Sequence, residues 1–296
     1  MVLDQKSLSV SVVVAAYGDV PYLEETLSSL VNSQPECVPI FVLDDFSPTS
    51  DVREIAHKFV DRITYVRSEV NRGVSGSFNA AAELVDTDYL MLVGPDDRVT
   101  SSLEGFLLAL DPSALDAVVI QPGVSVIDSM GDAVNPINDR VKNWIAPKQD
   151  SLHFGESLAV SLLKGDWAYN PSLIWKVSYL KEARYDDTLK TAMDLDILLR
   201  LTFQEKGLYR SSSKVFEYRR HSEAVSSKNA GSQQFGEELS IHKWAYELAQ
   251  EKNWNRAAKW AKLTITPRLH AMLLLKNLPP AGRRVLWNQI KTGIGG

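Results

Sequence analysis

Three observations predict an α/β protein with a mostly parallel, doubly wound sheet and a C-terminal helical region. In the first hundred residues, short β-rich apolar runs alternate with segments of helical periodicity. Each strand is joined to the next by a helix-length crossover, which calls for right-handed parallel connections. From about Phe235 onward the strand signals stop and helical spacing takes over. A length of 296 residues, 45% of them apolar and 23% charged, matches an ordinary globular chain of one large domain or two fused ones. Collagen-like, disordered and coiled-coil classes are excluded on the same numbers.

Taken in order, Ser9–Ala16 is a Val-rich strand, and Pro21 then opens a helix with Tyr22, Leu23, Leu27, Leu30 and Val31 on one face. Ile40–Leu43 is the second strand, and Ser50–Val60 a helix with Val52, Ile55, Ala56 and Phe59 inward. Strand Ile63–Val66, helix Ser75–Leu84 and strand Tyr89–Val93 complete the alternation. Beyond it, the pattern predicts a helix at Leu103–Leu110, a strand at Ala117–Gln121, and helices at Ser157–Leu163 and Met193–Glu205. The Pro/Gly/Asn-rich stretch Gly131–Pro147 reads as loop.

Charge is unevenly spread. Nine basic residues and no Asp or Glu lie from Lys252 onward, so residues 1–251 hold 23 basic against 37 acidic groups. The overall balance of −5 argues against coating of nucleic acid by the whole chain. A single cysteine, Cys37, excludes an internal disulfide and reads as a small apolar residue. No apolar run reaches the roughly 18–20 residues that span a bilayer. Leu8–Tyr17 follows Asp4 and reads as a buried strand rather than an export signal, which predicts a cytosolic location.

Ligands of doubly wound sheets bind beyond the carboxyl ends of the strands. Here the first strand ends in Tyr17-Gly18-Asp19, the second in Asp44-Asp45 and the fourth in Gly94-Pro95-Asp96-Asp97. A single Asp after a strand is a turn former or cap, but clustered carboxylates repel unless a cation or proton offsets them. A hard divalent metal bound with substrate phosphates is the natural partner. The glycine-rich dinucleotide loop is missing after the first strand, since Gly73-Val74-Ser75-Gly76 follows the third with the wrong spacing. No Ser/His/Asp or Cys/His arrangement stands out, and His57, His153, His242 and His270 lack ligand spacing.

Ser11–Tyr17, Val42–Ser47, Asn71–Ser75 and Gly94–Asp97 resemble, in order and spacing, successive motifs of the family 2 glycosyltransferases. The resemblance extends through Met193–Leu201, Tyr218–His221 and Val225–Ser227. That family comprises inverting enzymes of the GT-A fold. The resemblance implies a nucleotide-sugar-binding half over 1–100, an acceptor-binding half over 101–230 and a basic helical region over 231–296. It implies that Ala15 and Tyr17 border the nucleotide base, Asp45 hydrogen-bonds its ring and Asp96 meets the ribose. Asp97 and His221 would hold Mg²⁺ or Mn²⁺ against the diphosphate, and Asp194 would be the catalytic base. Asp196 is the alternative base; two apart on a helix, these two acids face different directions.

The chain departs from the family pattern at Gly94, where the metal motif commonly begins with Asp, at Met193, where Glu is usual, and at Phe78, where an Arg is frequent. Asp186 and Asp187 read as solvated or capping residues, and Trp167, Tyr169 and Asn170 as packing residues able to stack on an acceptor sugar. The expected function is transfer of a sugar from a UDP- or dTDP-sugar to a hydroxyl of a glycan or lipid-linked acceptor, in bacterial cell-surface polysaccharide synthesis. The rivals are an inactive GT-A-like scaffold and a sugar nucleotidyltransferase. The basic tail 252–291, with Trp254, Trp260, Trp287 and Met272–Leu275, either meets an anionic membrane at the inner face or packs on the acidic remainder.

Overall fold

Buried on both faces, β1 (Val10–Ala16) is the central strand of the N-terminal half. It pairs in parallel with β2 (Ile40–Asp44) and β4 (Tyr89–Val93), and β2 carries β3 (Ile63–Arg67) at the edge. The crossovers are α1 (Leu23–Ser33), α2 (Asp51–His57) and α3 (Gly73–Leu84). Every element expected in the first hundred residues is therefore present, although α2 stops at His57 and leaves Val60 exposed. The structure, a computed structural model, describes residues 8–148, 150–221 and 232–268.

The second half continues with β5 (Arg98–Val99), α4 (Leu103–Leu108), β6 (Val119–Ile127), α5 (Ile137–Ile145), β7 (Ser151–His153) and α6 (Gly155–Lys164). After these come β8 (Ile174–Lys176), α7 (Val177–Ala183), α8 (Met193–Phe203), β9 (Leu208–Arg219), α9 (Ser232–Glu251) and α10 (Asn255–Leu263). One sheet joins both halves in the order β3-β2-β1-β4-β8-β6-β9-β5, with β7 also on β9. The short strand β8 makes the join, running antiparallel to both β4 and β6. The parallel expectation thus describes β1 to β4, and antiparallel pairings enter with the later strands. β9 had no clear signal because Ser211–Lys214 interrupts its apolar alternation.

Gly131–Pro147, expected as loop, contains α5, which starts after Pro136. Its apolar residues do recur at helical spacing, but Pro, Gly and Asn around them obscured the period. Cys37 is exposed, with its Sγ 3.8 Å from Glu104, and not packed as an apolar residue. It sits in the turn after Pro35, where no element covers it.

Because strand side chains alternate, the sheet has two cores. Val13, Leu90, Leu92 and Trp175 face α3, α6, α7, α8, α9 and α10. Val12, Val14, Val42 and Met91 face α1, α2 and α4. Trp175 is fully buried and meets the rings of Tyr179 and Tyr185. Through Ala257 and Ala261, α10 joins the first core, and Glu156 accepts from the backbone N–H of Arg256 at 2.7 Å. The described start of the basic tail therefore packs on the body; Met272–Leu275, Trp287, His270 and Val225–Ser227 lie outside the described residues.

Candidate active site

Register brings the strand ends together. Ala16 pairs with Asp44 and Val14 with Val93, so Tyr17–Asp19, Asp45–Ser47 and Gly94–Asp97 leave the sheet along one edge. Ala15 is half-buried there and Tyr17 is exposed. The loops are tied by the Asp45 N–H on the Ala16 carbonyl (2.9 Å) and the Gly18 N–H on Ser47 Oγ (3.1 Å).

The two acids after β2 have their own donors. Asp44 is fully buried and accepts from Tyr65 Oη (2.6 Å), Arg67 Nη1 (2.8 Å) and the Ser47 N–H (2.8 Å). Burial pushes its carboxyl up, but the Tyr65 and Ser47 hydrogen bonds and the Arg67 charge outweigh it and leave it below the usual range. Asp45 accepts from the N–H groups of Arg72 (2.9 Å) and Gly73 (2.8 Å). Gly73 has φ of +69°, a left-handed conformation that turns its N–H back toward Asp45. The Asn71–Ser75 motif is thereby hung from the end of β2.

Asp96 and Asp97 converge over Gly94. A Cβ built there would lie 2.7 Å from Asp96 Oδ1 and 3.0 Å from Asp97 Oδ2, so glycine makes the room for both carboxylates. Asp97 is buried, and its Oδ1 accepts from the Arg219 N–H at 2.9 Å. Burial first, and then the charge of Asp96, pushes the Asp97 carboxyl well above the ordinary range. His221 Nε2 lies 2.8 Å from Asp96 Oδ2, and the His221 ring meets Tyr22 edge-on at 5.1 Å. Arg219, also buried, holds the Asp96 carbonyl (2.8 Å) and Glu25 Oε2 (2.7 Å) and lies over the Tyr22 ring. Among the described residues no cluster of three His, Cys, Asp or Glu forms a protein-only metal cage.

Asp194 stands in the first turn of α8 and its Oδ1 accepts from the Leu195 N–H at 2.9 Å. The turn is held by Glu237 of α9, which accepts from the N–H groups of Lys190, Thr191 and Ala192. Ser75 Oγ donates to the Met193 sulfur (2.9 Å), so methionine here seats α8 against α3. Asp166, a residue the sequence reading did not single out, lies close enough for its charge to act on the Asp194 carboxyl. Burial and then the Asp166 charge raise the Asp194 carboxyl well above its ordinary range, against the nearby Lys142 ammonium. Asp166 Oδ1 is buried and has no hydrogen-bond partner among the described residues.

Asp196 faces elsewhere, as the helical offset requires. It pairs with Arg200 at 2.8 Å and opens on a separate cleft of about 790 Å³ that also holds Asp186, Asp187 and Trp244. Asp186 accepts from the Thr188 N–H as a turn cap, and Asp187 accepts from Asn79. Trp167, Tyr169 and Asn170 are buried packing residues, with Trp167 Nε1 donating to Ser161 and Tyr185 Oη to Asn170. Of the histidines, His57 is exposed, and buried His242 hydrogen-bonds the Ala261 carbonyl.

A second polar group was not legible in the sequence. Fully buried Asp139 of α5 accepts from Arg220 Nε (2.6 Å) and Nη2 (2.7 Å) and from Tyr169 Oη (2.8 Å). Lys142 of the same helix donates to the Ala168 carbonyl at 2.9 Å. Alternation at the end of β9 therefore sends Arg219 toward Asp96 and Asp97 and Arg220 toward Asp139. The spacing Asp139, Lys142 on a helix was the available signal, hidden by the loop reading.

Known proteins share this fold. Residues 11–149 match the family model described as Glycosyl transferase family 2. An uncharacterized glycosyltransferase of Methanocaldococcus jannaschii is 24% identical over 64% of this chain and 63% of its own length. The Staphylococcus aureus TarS fragment 1–349 with UDP-GlcNAc superposes with a TM-score of 0.62 at 14% identity, covering 96% of this chain and 88% of that one. GalNAc-T7 with UDP, GalNAc and Mn²⁺ gives a TM-score of 0.58 at 14% identity, over 90% of this chain and 58% of the other. These two likenesses are of fold. The chain spans 39% of the longer TarS chain and just under two thirds of its curated relative. With the sheet order and the acidic strand ends in agreement, residues 11–149 match the glycosyl transferase family 2 model, and the chain has a GT-A-type fold.

Proposed function

We propose that the protein is an inverting glycosyltransferase that moves a sugar from a UDP- or dTDP-sugar to a hydroxyl of a glycan or lipid-linked acceptor. The observation that carries this reading is a division of acids into two groups with different surroundings. Asp96 and Asp97 converge over Gly94 at the sheet edge, whereas Asp194 sits on α8 with Asp166. TarS with UDP-GlcNAc and GalNAc-T7 with UDP and Mn²⁺ support a uridine donor and a divalent ion. The family resemblance supports bacterial cell-surface polysaccharide synthesis as the setting.

In this reading Ala15, Tyr17 and Asp45 border the base and Asp96 the ribose. The donor set beside Gly94 fits Mg²⁺ or Mn²⁺. Burial and the Asp96 charge raise the proton affinity of Asp97, and hard ions of this kind take one or two carboxylates with substrate phosphates supplying the rest. Asp97 would hold the ion, and His221, hydrogen-bonded to Asp96, would close that side. When bound, such an ion stabilises negative charge on the departing diphosphate. Asp194 takes the proton of the acceptor hydroxyl as its oxygen bonds to the anomeric carbon and the bond to the diphosphate breaks. Its raised proton affinity makes it a stronger base than an ordinary carboxylate. One displacement inverts the anomeric centre without an enzyme-bound intermediate.

Thermal unfolding with UDP, dTDP, GDP and CDP, each with and without Mn²⁺, tests the donor site. A ligand at about 100 times its dissociation constant adds roughly 2.7 kcal/mol. The expected result is a metal-dependent shift with one pyrimidine diphosphate, lost in Asp97→Ala and retained in Asp194→Ala, which loses turnover. No shift with any nucleotide would turn the reading to a GT-A-like binding protein without activity.

A further inference from the structure

The helix α5 is built inside out. Ile137, Val141 and Trp144 recur at the spacing of a single helical stripe, the pattern that ordinarily faces a core. Here that stripe faces solvent, with Ile137 74% and Trp144 76% exposed. Two charged residues face the protein instead: Asp139 is fully buried on Arg220 and Tyr169, and Lys142 holds the Ala168 carbonyl. A buried ion pair therefore sets the rotation of the helix against the preference of its apolar face.

Within α5 the charge left outside is positive, and the exposed Asp150 beyond it accepts from the Ser212 N–H at 2.8 Å. The acid of α5 is consumed internally, while Arg140 and, just beyond the helix, Lys148 are exposed. The end of α10 adjoins the end of α5: a Cβ at Gly165 would touch both Ile145 (3.0 Å) and Thr266 (3.8 Å). Exposed Lys259, Lys262, Leu263 and Ile265 continue the same composition on that side. Past Arg268 the sequence holds Lys276, Arg283, Arg284 and Lys291 and no acid. Tryptophan and aliphatic side chains beside the exposed cations Arg140 and Lys148 match what an anionic lipid surface takes.

We propose that the outward face of α5 docks the protein on an anionic bilayer. Ile137, Val141 and Trp144 enter the boundary between headgroups and acyl chains, and Arg140 and Lys148 meet lipid phosphates. The surface is independent of the donor reading, because none of these residues touches the acids described above.

The test is flotation of the full chain with phosphatidylcholine vesicles, with and without about 30% phosphatidylglycerol. The wild type is expected to float with the anionic vesicles alone. Ile137→Ser/Trp144→Ser should partition at least tenfold more weakly, and Arg140→Glu/Lys148→Glu by roughly fivefold or more per residue. Both variants alter exposed side chains, so an unchanged melting temperature verifies the fold. Failure of the wild type to float overturns the proposal. So does equal flotation of both variants, which would move the contact to another surface. Lipid-free sedimentation showing a dimer that Ile137→Ser/Trp144→Ser dissociates would also overturn it, making the stripe an interface between copies.

Discussion

Truncating the acid that anchors α5, Asp139→Ala, is expected to destabilise the protein by about 3–5 kcal/mol, the range for breaking a buried pair by removing one partner. In the native fold the desolvation of Asp139 is offset by three hydrogen bonds at 2.6, 2.7 and 2.8 Å. After truncation Arg220 keeps its charge without the carboxylate, and the Tyr169 hydroxyl loses its acceptor. The orphaned hydroxyl, worth about 1–3 kcal/mol, pushes toward the upper end. Arg220 is 31% exposed, so water reaches the guanidinium and pulls toward the lower end. At about 2–4 °C per kcal/mol for a domain of this size, the melting temperature should fall by roughly 10 °C. Urea unfolding of Asp139→Ala, Arg220→Ala and the double variant measures the coupling. The double variant should lose little beyond the first single one. A loss below about 1 kcal/mol for Asp139→Ala, or additive single losses, would refute the claim that this pair orients α5.

Asp194→Asn should lower kcat by about 10²–10⁴-fold while leaving nucleotide affinity unchanged, as calorimetry alongside turnover will read. Because Asp194 must be ionised to accept a proton and its carboxyl is raised, kcat/KM should climb with pH through a limb above the ordinary carboxylate range. Asp166→Asn removes the repelling charge, so that limb should move to lower pH; an unmoved limb counts against the pairing. Gly94→Ala places a methyl between the two carboxylates and should weaken metal-dependent nucleotide binding by about tenfold or more with little change in melting temperature, read by titration with and without Mn²⁺. For Glu237, burial raises the carboxyl, but hydrogen bonds from Thr191, Lys190 and Ala192 lower it overall. The stability it adds is thus present above the unfolded-state pKa and lost as pH falls through the native one. Glu237→Gln should cost about 1–2 kcal/mol at neutral pH, the loss vanishing in acid unfolding series.

The N-terminal half was legible in the sequence because its signals are local. Apolar runs of strand length, helical crossovers and acids placed just after strands specify β1 to β4 and the edge where Tyr17, Asp45, Asp96 and Asp97 emerge. Helical offset alone separates Asp194 from Asp196, and the structure sends the latter to Arg200. What each acid touches was not legible. Asp44 and Asp45 look alike in sequence, yet one binds Tyr65 and Arg67 and the other caps the turn before α3. Asp166 meets Asp194, Arg219 meets Asp97, and Asp139 meets Arg220 across long stretches of chain, and no periodicity reports such pairings. The orientation of α5 shows the limit most directly. Its segment reads as loop in the sequence, and the apolar stripe it carries is one a helix ordinarily turns inward, but leaving the charged Asp139–Arg220 pair unmade would cost more than exposing a few apolar side chains. Patterning is set residue by residue along the chain, whereas that balance exists only once β9 and the 165–170 segment have been brought against the helix.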